Sequence, residues 1–182
     1  MKIPFHKPHI SKRELDNVSD ILQSGWLTMG PKTIEFEKYF NDYIGSQYAV
    51  SVNSATAALH LALNAIGINE NDEVILPTNT FISTIEAVVY SGAQPVLCDI
   101  EDKNHNINVD LIEKLITYRT KAIIPVHFGG HPCEMDEILK IAYQNNLKVI
   151  EDAAHALPSK YKGRKIGTIA DSTCFSFYAT KT

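Results

Sequence analysis

Lys181 is the only amine in the polar stretch Tyr178-Ala179-Thr180-Lys181. Burial near other cations would lower its pKa from about 10.4 and make it a nucleophile. A solvated lysine is the plain alternative, since that is what most lysines are. Asp152 follows the apolar run Val149-Ile150 and should sit at a strand end, partly out of water. A carboxylate placed there needs a partner to stay ionised. A protonated ring nitrogen would serve, and so would an arginine or a helix N-terminus. Ala153 and Ala154 are small enough for a flat ring to lie against the backbone, and His155 could donate to a ring oxygen or be an ordinary cleft histidine. Asn53-Ser54-Ala55-Thr56 leads into an Ala/Leu-rich segment. The free N–H groups of such a helix start suit a phosphate, although a simple N-cap reads the same way. Phe81 could stack on a flat ring or belong to the core. Ser176 stands between Phe175 and Phe177, a poor place for an idle hydroxyl.

The elements that must position these residues follow from apolar spacing, caps and stops. Ser11 reads as the N-cap of a helix carrying Leu15, Val18, Ile21 and Leu22, with Gly25 as its stop. Pro31 opens a second helix, where its missing N–H does no harm, and Gly45 ends it. Tyr48 to Val52 reads as a buried strand, Ser54 to Ile66 as a helix, Glu73 to Leu76 as a strand and Thr80 to Tyr90 as a helix. Then follow a strand at Pro95 to Cys98, a helix at Val109 to Ile116 and a strand at Ala122 to His127. Met135 to Gln144 is a helix, Lys148 to Ile150 a strand, and Cys174 to Phe177 the last strand. The strands are nearly all apolar and alternate with helices. An α/β fold is expected, with a mostly parallel sheet flanked by helices on both faces. Ligands of open α/β sheets bind outside the carboxyl ends of the strands, and the helix start at Asn53 to Thr56, Phe81, Asp152 and Lys181 all fall at that predicted edge.

No single candidate is specific, and their coincidence is more informative. A phosphate cup, a flat aromatic, a strand-end Asp and a candidate amine form the set that pyridoxal phosphate needs. The Asp would keep the pyridine nitrogen protonated, so that the ring could accept the electrons of a substrate carbanion.

Composition narrows the field further. The 182 residues carry 17 Lys plus Arg against 21 Asp plus Glu, a net charge of −4 that gives no support to general nucleic-acid binding. No apolar run approaches the roughly 20 residues that span a bilayer, and the polar, Pro-rich start has no signal-peptide core. Cys98, Cys133 and Cys174 lie far apart with no C-x-x-C pair, so a reduced, cytoplasmic protein is the default expectation. Gly25 to Thr33 looks like a P-loop with one residue too many, but Pro31 breaks the pattern and a helix precedes it. His127, His131, Cys133, Asp136 and His155 leave a zinc site conceivable, and with it a zinc-dependent hydrolase, although the spacing is not of a standard kind. Tyr161 to Lys165 reads as a solvated hairpin.

The strings GWLTMGPKTIEFEKYF (25–40), VNSATAALHLAL (52–63), KAIIPVHFGGHP (121–132), VIEDAAHA (149–156) and CFSFYATK (174–181) resemble the DegT/DnrJ/StrS family. Its members are pyridoxal-phosphate aminotransferases of the aspartate aminotransferase fold type that act on nucleotide-linked keto-sugars. The resemblance runs along essentially the whole chain, in order. It implies that Lys181 is the Schiff-base lysine and also the acid and base of the proton transfer. By the same resemblance Asp152 partners the pyridine nitrogen and His155 lies near the ring hydroxyl. Ala55, Thr56 and Ser176 would hold the phosphate, Phe81 would stack on the ring, and Trp26, Leu27 and Thr28 would border the sugar site, often that of the neighbouring subunit. Ala55 stands where many members have Gly, and Pro158 where a small residue is more usual. The implied reaction moves an amino group, from glutamate by family analogy, to a keto-sugar such as a 4-keto sugar in polysaccharide or amino-sugar biosynthesis. Lys181 speaks against the related sugar dehydratases, in which a histidine replaces it.

At roughly 150 residues per domain, the length alone suggests one self-sufficient unit. The resemblance changes that expectation. Residues 1–182 would be the N-terminal part of the cofactor-binding large domain, without its remainder and without the small domain. The full-length form would be a homodimer and the fragment alone inactive; the alternative is an inactive or regulatory fragment of this family that does no chemistry. Its N-terminal helices would then expose apolar faces.

Overall fold

A computed structural model describes Ile3 and residues 6–181. The chain divides into two compact units, residues 1–51 and 52–182.

The first unit is built from two helices, α1 (Lys12–Ser24) and α2 (Pro31–Ile44). Ser11 starts α1 as expected. Its hydroxyl accepts from Arg13 N at 3.2 Å, and its own N–H donates to Glu14 Oε2 at 2.7 Å. These bonds satisfy amides at the helix start that have no acceptor inside it, and they hold the Glu14 carboxyl below its usual range. Gly25 closes α1 and Gly45 closes α2, both in the left-handed conformation that glycine adopts without strain. The apolar stripe Leu15, Val18 and Leu22 is exposed.

Tyr48 to Val52 is not a strand. A strand needs a neighbour to take its amides and carbonyls, and here side chains take them instead. Ser51 N donates to Glu37 Oε1 at 2.6 Å, and Ser46 Oγ donates to Tyr48 O at 3.3 Å. Tyr48 and Val50 are largely exposed rather than buried.

The second unit is the α/β layer. In chain order it holds α3 (Ala55–Ala65), β1 (Glu73–Pro77), α4 (Ile82–Tyr90), β2 (Gln94–Cys98), α5 (Val109–Leu115), β3 (Thr120–Ile123), α6 (Met135–Gln144) and β4 (Lys148–Ala153). A short hairpin follows, β5 (Lys160–Tyr161) and β6 (Arg164–Lys165), and then β7 (Ser172–Phe175). Five strands form one parallel sheet in the order β2-β1-β3-β4-β7. Alternate residues of each strand face opposite sides, so each face has its own core. Val74, Leu76, Ala122, Ile124, Ile150 and Cys174 pack with Leu59 and Leu63 of α3 and Ala87 and Val88 of α4. Ile75, Ile123, Val149 and Ala153 pack with Ile112 of α5 and Met135, Ile138 and Ile141 of α6. The class expected from sequence, a mostly parallel sheet flanked by helices, is the one observed.

Strand ends differ from the sequence reading where they matter most. β3 stops at Ile123 rather than His127. β4 runs on to Ala153, three residues beyond Ile150, so Asp152 lies inside the strand and pairs with Cys174 of β7. β7 ends at Phe175, which places Ser176 just past the strand rather than in its middle.

Candidate active site

Because β4 and β7 are parallel, their carboxyl ends open at the same edge of the sheet. Asp152 is 5% exposed on the face covered by α3 and α4. Thr84, one turn into α4 and completely buried, donates from Oγ1 to Asp152 Oδ2 at 2.7 Å. Ala154 N donates to Oδ1 at 3.1 Å. Among the described residues no lysine, arginine or histidine forms an ion pair with Asp152. Facing it across the strand pair, Cys174 is a buried neutral thiol, raised to about 12 first by burial and then by the Asp152 charge. The result is a buried carboxylate with two neutral donors and no cation. Such a group is stabilised by an incoming positive charge.

Lys181 is half-buried, and its Nζ meets His155 Nε2 at 2.5 Å. The lysine can only donate, so Nε2 accepts and the ring proton sits on Nδ1. Partial burial, and then the Lys181 ammonium, hold His155 below its ordinary 6.5, while Asp152 pulls weakly the other way. The neutral ring is therefore favoured in the fold. The unfolded chain binds the proton first as pH falls, so the Lys181–His155 contact and the stability it lends are present above about pH 6.5 and weaken below it. His155 is expected to titrate below 6.5 in an NMR pH series, and Lys181→Ala to move its midpoint upward.

A loop on the opposite flank fixes the backbone of His155. Gly130 has φ +84°, and a Cβ there would come within 2.6 Å of His155 O. Ser159 Oγ donates to Gly130 O at 2.6 Å. Asn106, 2% exposed, ties this loop down by donating to His131 O and Pro132 O and accepting from Phe128 N.

The anion cup is the start of α3. Ser54 Oγ accepts from Ala57 N at 3.1 Å, and Ser54 O accepts from Ala58 N. The amides of Ala55 and Thr56 have no acceptor inside the helix. They point out of its positive end, and α3 packs against β4 and β7. Ser176 Oγ accepts from Tyr178 N at 3.3 Å, which leaves its proton for a ligand. Phe81 is the N-cap of α4 and 75% exposed, so its ring is available as a platform rather than spent in the core. The second unit thus holds every cofactor candidate. Trp26, Leu27 and Thr28 belong to the first unit, where the Trp26 indole donates to Met29 O at 2.9 Å and lies where a side chain on Gly30 would have to go.

The zinc alternative does not survive the geometry. Both nitrogens of His127 are engaged, Nε2 by Glu151 Oε1 at 3.1 Å and Nδ1 by Cys133 N at 3.1 Å. Among the described residues no three His, Cys, Asp or Glu side chains stand where they could hold a metal ion. This buried pair, and Thr84 behind Asp152, are what the sequence reading missed. Thr80 and Thr84 are four apart at the start of α4, and that helical spacing after a strand is the available signal.

The model of the DegT/DnrJ/EryC1/StrS aminotransferase family matches residues 8–182. The chain belongs to this family. The spore coat polysaccharide biosynthesis protein SpsC of Bacillus subtilis is 51% identical over 179 residues, 98% of this chain and 46% of that protein. Helicobacter pylori PseC, an aminotransferase involved in pseudoaminic acid biosynthesis, is 32% identical with a TM-score of 0.93, covering all of this chain and 49% of PseC. NtdA of Bacillus subtilis, solved with bound cofactor PMP, is 38% identical with a TM-score of 0.88, over 92% of this chain and 38% of NtdA. The chain therefore spans about half the length of SpsC or PseC.

Proposed function

We propose that this DegT-family chain forms the cofactor site of a pyridoxal-phosphate-dependent aminotransferase acting on a nucleotide-linked keto-sugar. The observation that carries the proposal is Asp152, a buried carboxylate with no ion-pair partner among the described residues, lying on the sheet edge that also carries Lys181. A protonated ring nitrogen fits Asp152, a phosphate fits the α3 start with Ser176, and the exposed Phe81 ring fits a flat face. Pyridoxal phosphate, when bound, supplies a carbonyl that takes up amines and a cationic ring that holds the electrons of a substrate carbanion.

The chain's own residues do the rest. Asp152 holds positive charge at the ring nitrogen. The Ala55 and Thr56 amides and the Ser176 hydroxyl bind the phosphate. His155 keeps the Lys181 amine at the site, and once it is released Lys181 moves the proton at the substrate carbon as base and then acid. The amino donor is glutamate and the acceptor a 4-keto sugar, in the making of a cell-surface polysaccharide or amino sugar. The full-length enzyme is a cytoplasmic homodimer in which Trp26, Leu27 and Thr28 border the sugar site of the neighbouring subunit. No helix among the described residues is long and apolar enough to cross a membrane.

The test is a panel of nucleotide-linked 4-keto and 3-keto sugars offered with glutamate to the full-length enzyme. An amino-sugar product is expected with a 4-keto member. No product from any member, with cofactor bound, would overturn the substrate class.

A further inference from the structure

Behind Asp152 stands a second hydroxyl. Thr80 Oγ1 lies 2.7 Å from Thr84 Oγ1. Thr84 has one proton, and Asp152 Oδ2 takes it at 2.7 Å. The bond between the two threonines can then run only one way, from Thr80 to Thr84. The alternative acceptor for Thr80, the Phe81 carbonyl, is farther at 3.4 Å. The relay therefore runs in one direction, from Thr80 through Thr84, and ends on Asp152 Oδ2 as its acceptor. Chained hydrogen bonds polarise one another in a low-dielectric site. Thr84 is fully buried, so its hydroxyl has no water to turn to. The same first turn of α4 also presents Phe81, and Thr84 N donates to Phe81 O at 3.0 Å. One helix start thus sets both the aromatic platform and the carboxylate.

We propose that Thr84, backed by Thr80, is a positioning residue that orients Asp152 and keeps its negative charge on the carboxylate, so that the proton shared with a cofactor ring stays on the ring nitrogen. This deepens the cofactor reading above and rests on it. Without the Thr84 hydroxyl the carboxylate becomes more basic and loses its fixed orientation, and the shared proton moves from nitrogen towards oxygen.

The experiment loads the full-length protein with pyridoxal phosphate labelled with nitrogen-15 in the ring and records the ring nitrogen signal by NMR. Wild-type protein is expected to show a protonated ring. Thr84→Val should move the signal towards the unprotonated position and lower kcat roughly tenfold to hundredfold, the range for a hydrogen bond to a charged group, with little change in KM. Thr84→Ser should restore both. A Thr84→Val protein with the wild-type signal and rate would overturn the proposal. If Thr84→Val does not fold, Thr80→Val decides the matter: a shift in the same direction supports the relay, and an unchanged signal overturns it. Wild-type protein that binds no pyridoxal phosphate would overturn the cofactor reading itself, and the relay with it.

Discussion

Replacing His127 by alanine is expected to destabilise the second unit by several kcal/mol, at about 1–3 kcal/mol for each of the two buried polar groups it leaves without a partner. Both side chains of the His127–Glu151 pair are completely buried. Cys133 N donates to Nδ1, so the ring proton sits on Nε2 and is given to Glu151 Oε1. Thr173 Oγ1 donates to the other carboxylate oxygen at 2.5 Å. Removing the imidazole leaves Glu151 with one donor and orphans the Cys133 amide. Whole domains are stable by only about 5–15 kcal/mol, so urea unfolding should show a large drop in midpoint. Glu151→Gln should be milder, because its carbonyl still accepts from Nε2. A His127→Ala/Glu151→Leu pair should recover part of the loss by removing the stranded charge. A His127→Ala midpoint within experimental error of wild type would show that the pair is not a structural anchor. Loosening here would also reach the site, because His127 N donates to Asp152 O at 3.1 Å.

Lys181→Ala should do the opposite, leaving the fold intact and removing the chemistry. The side chain is half-buried, and among the described residues its polar contact is with His155. Its loss strands no buried charge, so the urea midpoint should stay within about 0.5 kcal/mol of wild type. Amino transfer by the full-length enzyme should fall by at least about 10²–10⁴, the usual contribution of a positioned acid and base, and covalent retention of the cofactor should go with it. Transfer at the wild-type rate by Lys181→Ala would remove Lys181 from the mechanism.

Much of this was legible in the sequence because local rules decided it. Ser11, Gly25, Pro31 and Gly45 mark helix ends through caps and backbone freedom that need no distant partner. The apolar strands of the second unit could be buried on both faces only in a helix-covered parallel sheet. What failed depended on neighbours. Tyr48 to Val52 has strand composition but meets no strand among the described residues. Asp152 and Ser176 were placed one step wrong because β4 gains length from β7 and β7 stops earlier, and pairing registers are not written in either segment alone. Thr84 and the His127–Glu151 pair were missed for a related reason. Thr84 lies 68 residues from Asp152, and His127 lies 24 from Glu151, so only the folded sheet brings their partners to them.

Lys181 is, on this proposal, the amine that captures the cofactor beside Asp152. This role is tested most directly by incubating the full-length protein with pyridoxal phosphate, reducing with borohydride, and locating the added group by peptide mass spectrometry. A pyridoxyl group on Lys181, and on no other lysine, is the expected result. Absence of the label, or its appearance on Lys160 or Lys165 instead, would contradict the account.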